Sequence, residues 1–142
     1  MRALLDINVL IALLDSDHSL HRTAAAWFAD NADGGWASCA ITQNGCLRIM
    51  SHASYPNPLP INVIADRLRD ATSNRIHEFW AADVSLLDSA RIDTSRIHGP
   101  RQLTDVYLLA LACGQNGRFV TLDHSVSIGA VIDAKPKNLL KI

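Results

Sequence analysis

The sequence predicts an α/β domain with a mostly parallel sheet covered by helices on both faces. Three observations carry that prediction. Short apolar runs of strand length alternate with segments of helical spacing along the whole chain. The first run, Ala3 to Leu14, is almost unbroken apolar sequence interrupted by Asp6 and Asn8. An ionised carboxylate is tolerated there only when it is hydrogen-bonded, paired or bound to a metal, so Asp6 caps something or binds something. Two further acids stand at comparable places: Asp123 follows a strand-like run, and Asp105 falls in the first turn of the strongest helical segment.

Ala3 to Leu5 suits a buried strand and Val9 to Leu14 the first turns of a helix on the same sheet, which puts Asp6 at a strand's C-terminal end. In open parallel sheets that edge binds ligands. After the polar break Asp15-Ser16-Asp17-His18, Arg22 to Ala29 has helical spacing, and Asn31 to Gly35 ends it. Trp36 to Cys39 reads as the second strand and Thr42 to Met50 as a helix with Leu47 and Met50 on one face. Pro56, Pro58 and Pro60 exclude regular structure from Ser54 to Pro60.

Ile61 to Ala71 reads as a helix with Ile61, Ile64, Ala65 and Leu68 inward. Ile76 to Trp80 is a short strand and Ser85 to Ala90 one more helical piece. Arg96 to Gln102 is polar and starts with turn chemistry; Leu103 to Cys113 is the strongest helix, closed by Gly114. Phe119 to Leu122 is a strand ending at Asp123, Ile128 to Ile132 a short helix, and Leu139 to Ile142 the last strand.

The chain has 142 residues, a single-domain length. With 49% hydrophobic and 19% charged residues the composition is globular. No apolar stretch approaches the roughly 20 residues of a membrane span. The opening apolar segment lacks a small-residue cleavage site and runs into charged sequence, which argues against a signal peptide and for a cytoplasmic location. Cys39, Cys46 and Cys113 show neither CxxC spacing nor an even count, and read as small core residues rather than a disulfide framework or thiolate zinc site. A net charge of −1 does not advertise a nucleic-acid binder, but a carboxylate site filled with divalent cations is locally positive whatever the total.

Asp6, Asp105 and Asp123 therefore form the candidate catalytic and metal-binding set. Hard cations such as Mg²⁺ take oxygen ligands from one or two carboxylates, with water and substrate phosphate completing the octahedron. Such a cluster suits metal-assisted phosphodiester hydrolysis. Each acid also has a structural reading: Asp105 favours the positive end of a helix dipole, and Asp123 before His124-Ser125 could cap a following helix. His18 and His21 have zinc-like spacing with no third ligand placed, which reads as a solvated helix start. His98 and Arg101, just before Asp105, are possible phosphate contacts. Neither G-x-S-x-G nor a Gly-rich phosphate loop is present, which argues against acyl and P-loop chemistry.

The stretches Leu4-Leu5-Asp6-Ile7-Asn8-Val9-Leu10, Thr104-Asp105-Val106-Tyr107-Leu108-Leu109-Ala110-Leu111-Ala112 and Val120-Thr121-Leu122-Asp123 resemble PIN domains, specifically VapC toxins of bacterial toxin–antitoxin pairs. Trp36 to Met50 resembles the segment whose helix in many members supplies a glutamate. The resemblance covers essentially the whole chain. It implies a three-layer α/β/α sandwich and an endoribonuclease with a Mg²⁺ or Mn²⁺ site. It also implies a homodimer and a cognate VapB-like antitoxin whose C-terminal segment blocks the active groove. By that resemblance Asp6, Asp105 and Asp123 are metal ligands or their water-mediated support, and Asn8 and Thr121 are polar supports in the same pocket. Gln43 stands where many relatives have Glu; a carboxamide there implies one well-bound metal, and a hydrogen bond from Gln43 to a carboxylate or to substrate. Arg48 joins His98 and Arg101 as a possible RNA contact. Trp27, Phe28, Trp36, Tyr55 and Trp80 exceed what one core is expected to bury, which favours an interface.

Three rival readings remain at this stage. A receiver-type phosphoacceptor needs an adjacent acidic pair, whereas Ile7 follows Asp6. A D-x-D phosphatase needs a second acid where Asn8 stands. A PIN-like module that holds RNA or protein without cutting differs from the nuclease only in activity.

Overall fold

A computed structural model describes all residues, Met1–Ile142. Five strands, β1 (Ala3–Leu5), β2 (Trp36–Cys39), β3 (His77–Trp80), β4 (Arg118–Thr121) and β5 (Leu139–Lys141), form one sheet in the order β3-β2-β1-β4-β5. Every pairing is parallel. Helices α1 (Ile7–Leu14), α2 (His21–Asn31), α3 (Ala40–Ser51) and α4 (Ile61–Thr72) precede β3, and α5 (Leu103–Gly114) precedes β4. The predicted parallel α/β/α sandwich is the observed architecture.

Side-chain alternation along the strands builds two cores, one on each face of the sheet. Ala3, Leu5, Trp36 and Val120 face α1 to α4, where Val9, Ala24, Cys46 and Ile64 meet them. Leu4, Ala37, Cys39 and Phe119 face α5, whose Leu108, Leu109 and Leu111 are fully buried. Each such fully buried aliphatic side chain contributes about 1.5–3 kcal/mol. The aromatic surplus does not exist: Trp36 and Trp80 are core residues, and Trp27, Phe28 and Tyr55 are half-buried against the α1–α4 core. Packing absorbs the aromatics that pointed to an interface.

Gly45 seats α3 on α1. A Cβ at that position would lie 2.3 Å from Ile7 Cδ1, so only hydrogen fits at the crossing.

Two predicted helices are absent, and the cause is the same in both. Residues 85–90 are turns in which Ser85 Oγ accepts from Leu87 N at 3.1 Å and Asp88 Oδ1 accepts from Ala90 N at 3.0 Å. In residues 128–132, Ser127 Oγ takes Gly129 N at 3.1 Å, and Val131 makes an isolated antiparallel bridge to Ile92. Ser and Asp side chains capture backbone donors that a helix would need. The face of the sheet opposite α1–α4 is thus covered by one helix and by irregular chain, from which Ile92, Val126, Ala130 and Val131 are inserted.

Candidate active site

Strand register brings the first acid and the last to one edge. Leu5 stands opposite Val120, so the residues following each strand meet: Asp6 lies beside Thr121, with Asp123 two residues on. Strand order reverses between β1 and β4, the switch point at which open α/β sheets leave a crevice. Because α5 returns antiparallel to the strands, its first turn, carrying Asp105, reaches the same edge.

Asp6 is 5% exposed. Its Oδ1 accepts from Ile7 N at 2.7 Å at the start of α1, and its Oδ2 accepts from Thr121 Oγ1 at 2.6 Å. Asp6 thus caps α1, the first of the two sequence alternatives, and also lines the cleft. Thr121, fully buried, is a hub: its hydroxyl oxygen also accepts from Asn8 Nδ2 at 3.2 Å and from Asp123 N at 3.0 Å. Asn8 Oδ1 accepts from Leu122 N at 3.2 Å. One hydroxyl and one carboxamide therefore lock the ends of β1 and β4 together.

Asp123 is exposed and caps no helix, since none follows; its Oδ1 accepts from Ser125 N at 2.8 Å and Ser125 Oγ at 2.7 Å. Those bonds hold its carboxyl below the usual carboxylate range. Asp105 is half-buried and its carboxylate has no hydrogen-bond partner. Burial, then the charges of Asp6 and Asp123, push its pKa up to about 6. Burial also raises that of Asp6, against the lowering effect of Thr121 and Ile7 N, with the charge of Asp123 adding to the rise.

The three acids, Asn8 and Thr104 line a cleft of about 420 Å³ whose outer wall includes Ile49, Tyr55 and His18. The hydroxyl of Tyr55 donates to Asp15 Oδ2, pinning the ring on that wall. His18, which the sequence reads as part of a solvated helix start, lies on the cleft wall. Its Nδ1 accepts from Leu20 N at 3.1 Å in a tight turn that carries the ring to the cleft, while His21 Nδ1 turns away to Ala12 O at 2.7 Å. Sequence spacing paired them, but the turn separates them.

Gln43 has a different partner from the one expected. Its Nε2 donates to Ser38 Oγ at 2.9 Å, and Ser38 Oγ is in turn paired with His77 Nε2 at 2.9 Å. The first turn of α3 folds back over the end of β2, and Gln43 does not line the acid cleft. Arg48 lines a neighbouring cavity, and His98 lines a small one of about 70 Å³ on the far side of Asp105. Arg101 is exposed and lines none of these.

The donor set is all oxygen and acidic, the chemistry hard divalent cations prefer. No three His, Cys, Asp or Glu side chains stand close enough to hold a metal ion together. The residues present still fit such an ion, since Asp105 is unpartnered, and Mg²⁺ asks for only one or two direct carboxylates.

The fold and site together define a parallel α/β/α sandwich with an acid-lined cleft at its switch point. The PIN domain family model matches residues 3–128, and the chain belongs to the PIN-domain VapC ribonuclease family. It is 54% identical over 139 residues to ribonuclease VapC44 of Mycobacterium tuberculosis, covering 98% of both chains. It is 39% identical over 131 residues to ribonuclease VapC39 of the same organism, covering 92% of this chain and 94% of the relative. The crystal structure of M. tuberculosis VapC20, a Sarcin-Ricin loop cleaving toxin, shares the fold with a TM-score of 0.63 at 10% identity, covering 94% and 99% of the two chains. VapBC2 from Rickettsia felis, bound to a DNA fragment from its promoter, aligns with a TM-score of 0.60 at 13% identity, covering 100% and 99%.

Proposed function

We propose that the protein is the toxin of a type II toxin–antitoxin pair, an endoribonuclease that hydrolyses RNA phosphodiester bonds at a divalent cation, Mg²⁺ or Mn²⁺, held by Asp6, Asp105 and Asp123. The observation that carries the reading is the unpartnered, half-buried Asp105 carboxylate facing Asp6 and Asp123. Like charges gathered at a sheet edge are costly to the fold and call for a counter-charge. A bound divalent ion supplies it, lowers the pKa of a coordinated water and offsets charge developing on the phosphate and leaving oxygen.

The chain's own groups prepare that site. Thr121 Oγ1 and Ile7 N each spend one donor on Asp6, fixing both carboxylate oxygens while leaving each a free lone pair. Asn8 holds Thr121 in place from the other side. Ser125 fixes one oxygen of Asp123 and leaves the other for a ligand. Asp105, with no such support, is free to adjust to ion and substrate.

The partners in this reading are RNA, a VapB-type antitoxin and a second copy of the chain. The site of action is the cytoplasm; no helix is long and apolar enough to cross a membrane. Incubating defined RNAs with Mg²⁺, Mn²⁺ or EDTA tests the activity. Cleavage in either metal, abolished by EDTA and by Asp6→Asn, is the expected result. RNA bound but uncut in every condition would make this a non-cleaving module.

A further inference from the structure

Beside the acid cleft lies a second cavity of about 340 Å³, lined by Arg48, Ile49, His52, Ser54, Tyr55 and Pro56. It shares Ile49 and Tyr55 with the cleft, so the two form one continuous surface. Its polar groups differ in kind from those around the acids. Arg48, near the end of α3, is exposed and its guanidinium makes neither a salt bridge nor a hydrogen bond. His52 follows it by four residues, just past the helix end. His52 Nδ1 accepts from Ser54 N at 3.1 Å and lies 2.7 Å from Ser54 Oγ. An accepting Nδ1 places the ring proton on Nε2, which is then a donor without a protein partner. Tyr55 completes the cavity with a ring held by its own hydroxyl on Asp15 and by its amide on His52 O at 2.9 Å.

A free guanidinium, an oriented imidazole N–H and an immobilised aromatic face are the groups that recognise an unstacked nucleotide: two donors for a phosphate and a π-surface for a base. We infer that this cavity binds the nucleotide flanking the scissile phosphate, with Arg48 and His52 on its phosphate and Tyr55 under its base, so that it sets which single-stranded RNA sequences are cut. The inference rests on the ribonuclease reading above. A volume of about 340 Å³ has room for a single base with its sugar. Specificity would therefore be read from one or two splayed nucleotides, not from a duplex.

The test separates binding from cutting. Affinity for a short single-stranded RNA is measured with the Asp6→Asn chain as a function of salt, and cleavage is measured with Asp6 intact. Arg48→Gln in the Asp6→Asn background is expected to weaken RNA binding about tenfold and to reduce the slope of log affinity against log salt by about 0.7, the value of one phosphate contact on a single strand. His52→Ala is expected to weaken RNA binding in the Asp6→Asn background and to raise KM in the chain with Asp6 intact. Tyr55→Phe keeps the ring but loses its bond to Asp15, and is expected to retain only part of the preference for a base over an abasic site at the flanking position. Tyr55→Leu is expected to lose about tenfold of it, since base–aromatic stacking is worth about 1–3 kcal/mol. If Arg48→Gln and His52→Ala leave RNA affinity, salt slope and KM unchanged, the inference is wrong. It is equally wrong if they weaken only the complex with the antitoxin, because the cavity then serves a protein partner. A chain with Asp6 intact that cuts no RNA at all overturns the ribonuclease reading instead, a distinct result.

Discussion

Asp6 and Asp105 face the same cleft yet are held in opposite ways. Asp6, at the end of β1, is buried with both oxygens hydrogen-bonded, one of them across the sheet to Thr121. Asp105, in the first turn of α5, accepts nothing. The strand half of the cleft is therefore built into the fold, while the helix half is a half-buried carboxylate without a partner. Substitutions at the two positions should separate stability from activity.

The largest effect is expected at Asp6. Asp6→Ala should lower kcat/KM about a hundred- to thousandfold, in the range for removing one electrostatic stabiliser of a transition state. It should also lower the melting temperature, since Thr121 Oγ1 and Ile7 N lose their acceptor. Steady-state cleavage and thermal melts on the same preparation check both halves. Asp105→Asn should match that loss of activity while leaving the melting temperature unchanged or higher. A sharp fall in stability would mean that Asp105 is structural after all.

Thr121→Val tests the connection between the halves. Loss of the supporting hydroxyl should reduce metal-dependent activity about 10–100-fold, as for other partners that orient metal ligands. It should cost about 1–3 kcal/mol of stability, read from urea unfolding, because Asp6 Oδ2 and Asp123 N lose a buried partner.

The metal-free protein should show the same contrast in its pH dependence. Asp105 titrates near 6 when folded, above the ordinary value of 3.8, so the folded state holds more protons than the unfolded state between those values. Stability should fall as pH rises from about 4 to about 6 and then level off. Chemical denaturation across that window should find this component absent in Asp105→Asn. Saturating Mn²⁺ should shrink it.

The smallest effect is expected at Gln43. With its donor on Ser38 rather than on an acid, Gln43→Glu should leave Mn²⁺ affinity and stoichiometry by calorimetry unchanged. Tighter binding, or a second ion, would place this position within reach of the metal.

The strands, α1 to α5 and the convergence of the three acids were legible because they follow from local pattern plus one topological rule. Leu4, Leu5 and Val120 announce buried strands, and parallel register then forces Asp6 and Thr121 together. The resemblance supplied the roles of Asn8 and Thr121, which periodicity alone would not have assigned. Helical spacing misled at residues 85–90 and 128–132, where Ser85, Asp88 and Ser127 divert backbone donors into turns. His18 and the Tyr55 clamp were illegible because turns place them, and their partners lie outside any periodic segment. Gln43 lies in α3 as its helical spacing indicated, but its partner was not legible, since the contact depends on how α3 closes over β2.

The bond from Thr121 to Asp6 spans 115 residues of sequence. A ribosome making this chain has therefore released most of it before the cleft can exist, and neither strand β1 nor the segment through α4 carries more than one of the three acids. A product terminated before β4 lacks Thr121 and Asp123, so neither the bond to Asp6 nor the three-acid cleft forms in it. The cleft between β1, β4 and α5 is completed only when synthesis is nearly done.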